Sequence, residues 1–374
     1  MKGSKLCWLL AELILLAVWI LSGDGRLLAL PLCLILLPLL SFVGDLAIRK
    51  RIRVSLKAEP NLQKNGVGRV ILEAENPTWL PVFALRCPLR VENVLMGTVD
   101  TLEVTLCLLP RRKGQRELEL SSRWCGRLRI GTGRVRLYDC FGLIPVGAAC
   151  SGSAALTVQP DTFEQTVHIS ADANCPDDSE VYSQERPGYD LTETFQIRDY
   201  QIGDSIRQVH WKLSSKFDRL IIRDPSLPVT RSVVVFWERS GQQADRPDLT
   251  DAQAEAVVTV CRTLVSQSVQ FTVAWNDVER DVCVMQEIRD MDDLIGLLPK
   301  LLGARGKAEG ACGGQLFAQG CGEVTYSHIL YIAGARSPQA EELCRLGRVT
   351  MLICGSDGDF DPEHFREQLM ELEI

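Results

Sequence analysis

Ser232-Val-Val-Val-Phe-Trp237 is an unbroken apolar run of strand length, and its reading decides the fold. An apolar run without polar alternation suits a strand buried on both faces, as in a parallel sheet covered by helices. The residues after it change period. Ala252, Ala256, Val257, Val260 and Leu264 recur at helical spacing within residues 249–268. Strands are then expected at 269–275, 281–285, 327–333 and 348–354, and helices at 291–302, 338–346 and 362–372. Alternation of strand and helix implies a mainly parallel sheet, hence an α/β domain over residues 231–374. Residues 303–322 read as a Gly-rich loop.

Upstream the pattern differs. Residues 52–160 fall into short strands separated by turn signals such as Asn76-Pro77 and Gly97, with period-2 alternation in 67–75. That predicts an antiparallel, sandwich-like β domain. Its arginines at 111, 112, 116, 123, 127, 129, 134 and 136 fall largely on alternate positions, which suits a solvated strand face or the binding of anionic lipid or an acidic partner. Residues 161–230 form a polar linking segment that tightens from Thr194 onward.

The N-terminus carries two apolar stretches, residues 6–21 and 27–43, joined by Ser22-Gly-Asp-Gly-Arg26. At about 1.5 Å per residue each spans about 25 Å, short of a bilayer core of about 30 Å by an amount that local thinning covers. The expectation is a transmembrane helical hairpin within residues 1–45, in contact with lipid through residues 6–43. A cleaved signal peptide is the rival, but no A-x-A-like site follows the first stretch. Lys2 and Lys5 flank one outer end, and Arg49, Lys50, Arg51 and Arg53 the other, while the link offers Arg26 against Asp24. The positive-inside rule then puts both termini and the soluble domains in the cytoplasm.

The chain has 374 residues and a net charge of −7, which speaks against nucleic acid as a partner. That average hides a gradient. Residues 45–140 hold 18 Lys/Arg against 10 Asp/Glu, or +8, whereas residues 231–374 hold 13 against 23, or −10. None of the fourteen cysteines forms a C-x-x-C pair, and most lie in apolar runs. Reduced structural thiols in a reducing compartment are the simplest reading.

Two stretches resemble a known family. Arg123-Trp-Cys-Gly-Arg-Leu-Arg-Ile-Gly-Thr-Gly-Arg-Val-Arg-Leu-Tyr-Asp-Cys-Phe-Gly-Leu143 resembles the segment ending D-P-F-G-L in the domain of unknown function 58 family. Arg198-Asp-Tyr-Gln-Ile-Gly-Asp-Ser-Ile-Arg-Gln-Val-His-Trp-Lys-Leu-Ser-Ser215 resembles its signature R-E-Y-x-x-G-D-x-x-R-x-I-x-W-K-x-S-A, through Tyr200, Gly203, Asp204, Arg207, Trp211 and Lys212. Cys140 stands where the pattern has Pro, and His210 where it has Asp. The resemblance implies two membrane helices, a β domain, the signature segment and a von Willebrand factor A-like domain. It also implies an accessory protein that accompanies a MoxR-type AAA+ ATPase, often beside transglutaminase-like membrane proteins.

Chemistry is sparse. A von Willebrand-type metal site needs D-x-S-x-S after the first strand, because hard oxygen ligands suit Mg²⁺. Here Glu238-x-Ser240 is a degenerate substitute followed by Gln242, and Tyr331-Ile-Ala-Gly-Ala335 lacks the later carboxylate. Gly303-Ala-Arg-Gly-Lys307 lacks the first glycine and the Ser/Thr of a P-loop. Asp357-Gly-Asp-Phe-Asp361 begins like a calcium loop but has Pro362 at the glycine position. No metal or cofactor is therefore expected. The histidines at 168, 210, 328 and 364 are scattered. Within the signature, Asp204 is expected to cap a short helix carrying Arg207, His210 and Trp211. That helix either plugs a gap between domains or, with Arg198, forms a docking surface, since Arg and Trp are common interface anchors. The leading expectation is a non-enzymatic interaction protein. The alternatives are a hydrolase-like enzyme using Asp204, His210 and Lys212, and a metal-dependent adhesion-type binder using Glu238 and Ser240.

Overall fold

The computed structural model describes residues 2–168, 182–201, 203–228, 231–240, 246–277, 282–306, 312–321, 326–335, 338–354 and 362–373. They form two compact units, Met1–Asp161 and Thr162–Ile374.

The first unit opens with α1 (Lys2–Ser22) and α2 (Ala29–Ile48), joined through a 3-10 turn at Gly25–Leu28. Both helices are long and apolar enough to cross a membrane. Gly23, at φ +64°, ends α1, and the Asp24 side chain caps the turn by accepting the Arg26 N–H at 3.0 Å. The Trp8 indole donates to the Leu34 carbonyl at 3.3 Å, which ties the helices together. Helix α2 runs five residues past the apolar stretch read from the sequence. The reason is tertiary: Phe42 and Ile48 pack into the core of the β sandwich that follows.

That sandwich has two sheets. One is β1 (Arg53–Ala58), β3 (Val67–Glu75) and β6 (Lys113–Ser121), antiparallel in the order β1-β3-β6. The other contains β2 (Asn61–Gln63), β4 (Val82–Asn93), β5 (Thr98–Leu108), β7 (Gly126–Thr132), β8 (Arg136–Tyr138), β9 (Pro145–Gly147) and β10 (Ser153–Gln159). All its pairings are antiparallel except β2 with β10. Alternating residues from both sheets, including Val70 and Leu72 opposite Leu85, Leu89 and Ile130, meet in one core. Arg129, Arg134 and Arg136 fall on the exposed positions of that alternation. The turn after β8 explains the D-C-F-G-L stretch. Asp139 accepts the N–H groups of Leu143 and Ile144, each at 2.7 Å, and of Phe141 at 3.2 Å, while Gly142 adopts φ +68°.

The second unit is built on β14 (Arg231–Trp237), β15 (Phe271–Asp277), β16 (Val282–Ile288), β17 (Tyr326–Ala333) and β18 (Arg348–Ile353). Their order is β16-β15-β14-β17-β18, parallel except for the β15–β16 edge pair. Its helices are α4 (Pro247–Ser266), α5 (Met291–Leu301), α6 (Gly313–Cys321) and α7 (Pro362–Met370). Trp237 turns to one face, where its indole donates to Gln253 of α4 at 2.9 Å. Val234 and Phe236 turn to the other, against Phe317 of α6 and Leu343. The expected mainly parallel α/β sheet is therefore present, with helices on both faces.

Three local expectations are corrected. Residues 313–321, read as loop because of their glycines, form α6, since burial of Phe317 outweighs poor helix propensity. Residues Pro338–Arg345 form a 3-10 helix rather than an α-helix. Helix α7 stops at Met370, and β19 (Glu371–Glu373) pairs in parallel with β11 (Thr166–His168). The expected calcium-loop stretch 357–361, Gln242 and Lys307 lie outside the described residues.

Candidate functional site

The signature residues lie on and between β12 (Tyr182–Asp199) and β13 (Ile221–Pro228), an antiparallel pair. Arg198, near the end of β12, grips Asp204 with two parallel bonds, Nη1 to Oδ2 at 2.7 Å and Nη2 to Oδ1 at 2.9 Å. Its Nε donates to Asp224 of β13 at 2.9 Å. A planar guanidinium fits this fork geometry as an ammonium does not. The chain returns from Arg198 to Asp204 through Gly203, whose φ of +111° disfavours any residue with a Cβ. The Tyr200 N–H donates to the Leu220 carbonyl at 3.0 Å, closing the same loop. The Arg198 guanidinium and the Gln201 N–H hold the Asp204 carboxyl at a pKa of about 2, and the paired carboxylates push that of Arg198 upward.

This pairing overturns the expected helix. Asp204 does not cap the turn that follows it: its carboxylate accepts from Arg198 and from the preceding Gln201 N–H. Ser205 instead caps a 3-10 turn at Ile206–Gln208, Val209 bridges to Ile222, and His210 caps α3 (Trp211–Phe217) by accepting the Leu213 N–H on Nδ1 at 3.3 Å. Arg207 and Trp211 therefore sit on separate elements rather than on one helical face. Helix α3 is pinned by Ser214, which is buried and accepts the Ile221 N–H at 2.9 Å. Trp211 is no core side chain: its relative exposure is 63%, with Ile206 at 69% and Phe217 at 54%. Arg207 and Lys212 are exposed as well.

The second constellation lies at the C-terminal ends of the parallel strands, where open α/β sheets place their ligands. Glu238, just past β14, is buried and accepts three donors on each oxygen. Oε1 takes the Ser240 N–H at 2.9 Å, the Ser240 hydroxyl at 2.6 Å and the Gly313 N–H at 3.1 Å. Oε2 takes the Gly314 N–H at 3.0 Å, the Tyr331 hydroxyl at 3.0 Å and the Cys312 thiol at 3.3 Å. The first turn of α6 thus closes over the position that the degenerate motif marked. Burial, then the negative charge of Glu238, pushes the Tyr331 pKa upward, which keeps its proton on the bond to Oε2. A Cβ on Gly313 would lie 2.8 Å from Glu238 Oε1 and run into the Asn276 amide.

Sequence reasoning marked Glu238 and Ser240 but missed Cys312, Gly313 and Gly314. A Gly-Gly pair downstream of a strand-end acid was the available signal. Asp204, His210 and Lys212 do not share a reaction centre: the first is held by Arg198, the second caps α3 through its ring, and the third faces solvent. His328 is buried against Thr350, with Nε2 at 2.8 Å from the hydroxyl. Among the described residues no group of three His, Cys, Asp or Glu side chains comes together as a metal cluster.

The chain matches no protein-family model and no curated protein. Partial structural likenesses exist. The CARDB domain of the PF1109 protein from Pyrococcus furiosus, solved in complex with di-metal ions, is 13% identical at a TM-score of 0.23, over 29% of this chain and 91% of that one. A cohesin module from a Clostridium perfringens family 33 glycoside hydrolase is 11% identical at 0.22, over 29% and 96%. A β-glucosidase from Listeria innocua is 9% identical at 0.21, over 29% and 16%.

Proposed function

We propose that this chain is a membrane-anchored, non-enzymatic interaction protein of the domain of unknown function 58 type, with a von Willebrand factor A-like C-terminal domain, that docks a MoxR-type AAA+ ATPase. The observation that carries the reading is Trp211, which stands 63% exposed on a short helix fixed at both ends. An exposed tryptophan with Ile206, Arg207 and Lys212 nearby in sequence has the composition of an interface anchor. The occupied Glu238 supports the same reading, because a carboxylate already accepting six donors has little capacity left for a metal or a substrate. The soluble units face the cytoplasm of the cell membrane in this proposal, on the strength of the Lys/Arg flanks at residues 2–5 and 49–53. The −10 charge of residues 231–374 would speed encounter with a basic partner surface.

Co-purification from mild detergent, with and without ATP and at two salt concentrations, tests the proposal. Capture of an AAA+ ATPase by the intact chain that Trp211→Ala abolishes supports it. Absence of any ATPase, together with a turnover that Asp204→Asn or His210→Ala removes, overturns it in favour of the hydrolase.

A further inference from the structure

The turn after β8 lies against the helical hairpin of the same unit. The Cys140 N–H donates to the Ser41 hydroxyl of α2 at 3.2 Å. Leu143 and Ile144 line an apolar groove of about 410 Å³ together with Leu9 of α1 and Ile35 and Leu39 of α2. These three helical residues belong to the apolar stretches 6–21 and 27–43. A loop of the β sandwich therefore reaches residues that the hairpin needs in order to cross a bilayer.

Two arrangements accommodate that contact. Either residues 38–43 of α2 are drawn out into water, or the turn enters the lipid. The first leaves α2 with residues 27–37, about 16 Å of apolar helix against a bilayer core of about 30 Å. Thinning covers a shortfall of a few Å rather than one of about half the core. The turn is built for the second. Non-helical backbone enters hydrocarbon only where the protein satisfies its polar groups. Every N–H from Cys140 to Ile144 has such an acceptor. Ser41 takes the first, the Asp139 carbonyl takes that of Gly142 at 2.9 Å, and the Asp139 carboxylate takes those of Phe141, Leu143 and Ile144. Phe141 and Ile144 are each 37% exposed.

A second loop marks the level of the headgroups. Leu80 lies on α2 at Gly44, where a Cβ would stand 3.6 Å from its Cδ1. Beside it Trp79 is 71% exposed, with the Arg111 guanidinium 3.7 Å from its ring centre. Gly44 is about 4.5 Å closer than Ser41 to the end of the helix, and an indole paired with a cation suits the interface.

We propose that the turn at residues 139–144 dips into the leaflet nearest the β sandwich, with Phe141 and Ile144 among acyl chains and Trp79 and Arg111 at the headgroups. A lipid chain fills the groove between the turn and the helices. This wedge rests on the membrane anchoring proposed above and is independent of docking through Trp211.

The test is photo-crosslinking of the full-length protein in phosphatidylcholine–phosphatidylglycerol nanodiscs, with p-benzoylphenylalanine introduced in turn at positions 13, 141, 144 and 99. Leu13, 59% exposed on α1, reports the span. Val99, 44% exposed, pairs with Glu92 at the far end of the β4–β5 hairpin, about 33 Å along the strand from Val82. Lipid adducts are expected at 13, and at 141 or 144 above the level at 99. Adducts at 13 alone overturn the wedge and leave the anchor standing. Adducts at 99 equal to those at 141 and 144 overturn it as well, because the turn is then not singled out. Absence of adducts at 13 overturns the anchoring itself, and the wedge with it. The unmodified protein in discs whose lipid carries a diazirine on its acyl chain, mapped by peptide mass, gives the same reading without any substitution.

Discussion

Replacing Glu238 by glutamine probes the closure over the sheet most directly. The amide keeps the shape of the side chain but puts two N–H hydrogens where one oxygen stood. At the Oε1 position the new NH₂ would face the backbone N–H groups of Ser240 and Gly313, which cannot turn away. At the Oε2 position it faces one such group, Gly314 N–H, because the Tyr331 hydroxyl and Cys312 thiol can rotate and accept. The amide should therefore settle with nitrogen toward Gly314. One buried N–H is then orphaned, at about 1–3 kcal/mol, and the remaining bonds fall from charge-assisted to neutral strength, at about 1 kcal/mol each. Those losses come to about 6–8 kcal/mol, and relief from burying a charge, several kcal/mol, offsets about half, leaving a net loss of about 3 kcal/mol.

Hydrogen exchange at the start of α6, in the full-length protein in detergent, reads that loss locally. A change of about 3 kcal/mol corresponds to about 100-fold faster exchange at Gly314, if opening of this turn controls it. Unchanged protection would refute the reasoning. So would millimolar Mg²⁺ that slows exchange in the parent but not in Glu238→Gln, since Glu238 would then be holding a cation rather than the helix.

Trp211→Ala should change stability by no more than about 0.5 kcal/mol in a denaturant melt, as for an exposed side chain, rather than the roughly 3–5 kcal/mol of a core tryptophan. Burial, with a contribution from nearby Arg348, lowers the His328 pKa from 6.5 to about 4. Below pH 6.5 the unfolded chain takes up a proton that the fold refuses, so stability should fall between pH 6.5 and 4 by about 3 kcal/mol, from 2.5 × 1.36, and level off below. A pH series that shows the same fall in His328→Gln would assign it elsewhere. For orientation, Cys107 and Cys344 are exposed thiols in the two units. A membrane-impermeant maleimide should leave both unmodified on intact cells and label both after permeabilisation, and labelling from outside would reverse the proposed topology.

Much of the architecture was legible because periodicity reports burial directly. The run at 232–237 announced a strand covered on both faces, and the alternation at 67–75 announced one covered on a single face. The failures share a cause. Helix α6 was hidden because Gly313 and Gly314 look like loop residues, yet Glu238 needs their N–H groups, and the missing side chain of Gly313 leaves room for its carboxyl. Strand β19 was hidden because three residues carry no periodicity, and only pairing with β11 defines them. Both depend on partners more than seventy residues away in sequence, and no local pattern encodes such a partner.

The signature segment failed in a more instructive way. Asp204 followed by a helical-looking stretch is a fair N-cap by local rules, but its carboxylate turns back to the Arg198 guanidinium and the Gln201 N–H rather than forward to the turn that follows. The side chains then divide by physical role. Arg198, Gly203, Asp204 and Asp224 form a rigid frame, and Ser205, His210 and Ser214 use it to hold helical turns too short to persist alone. Helix α3 contributes little to any core, since Ser214 is its buried residue while Trp211 and Phe217 remain largely in solvent. Stabilising seven residues by caps at both ends and a paired arginine behind them does not serve packing. What that frame delivers is a short helix that carries an exposed tryptophan, the side chain on which the docking proposed above rests.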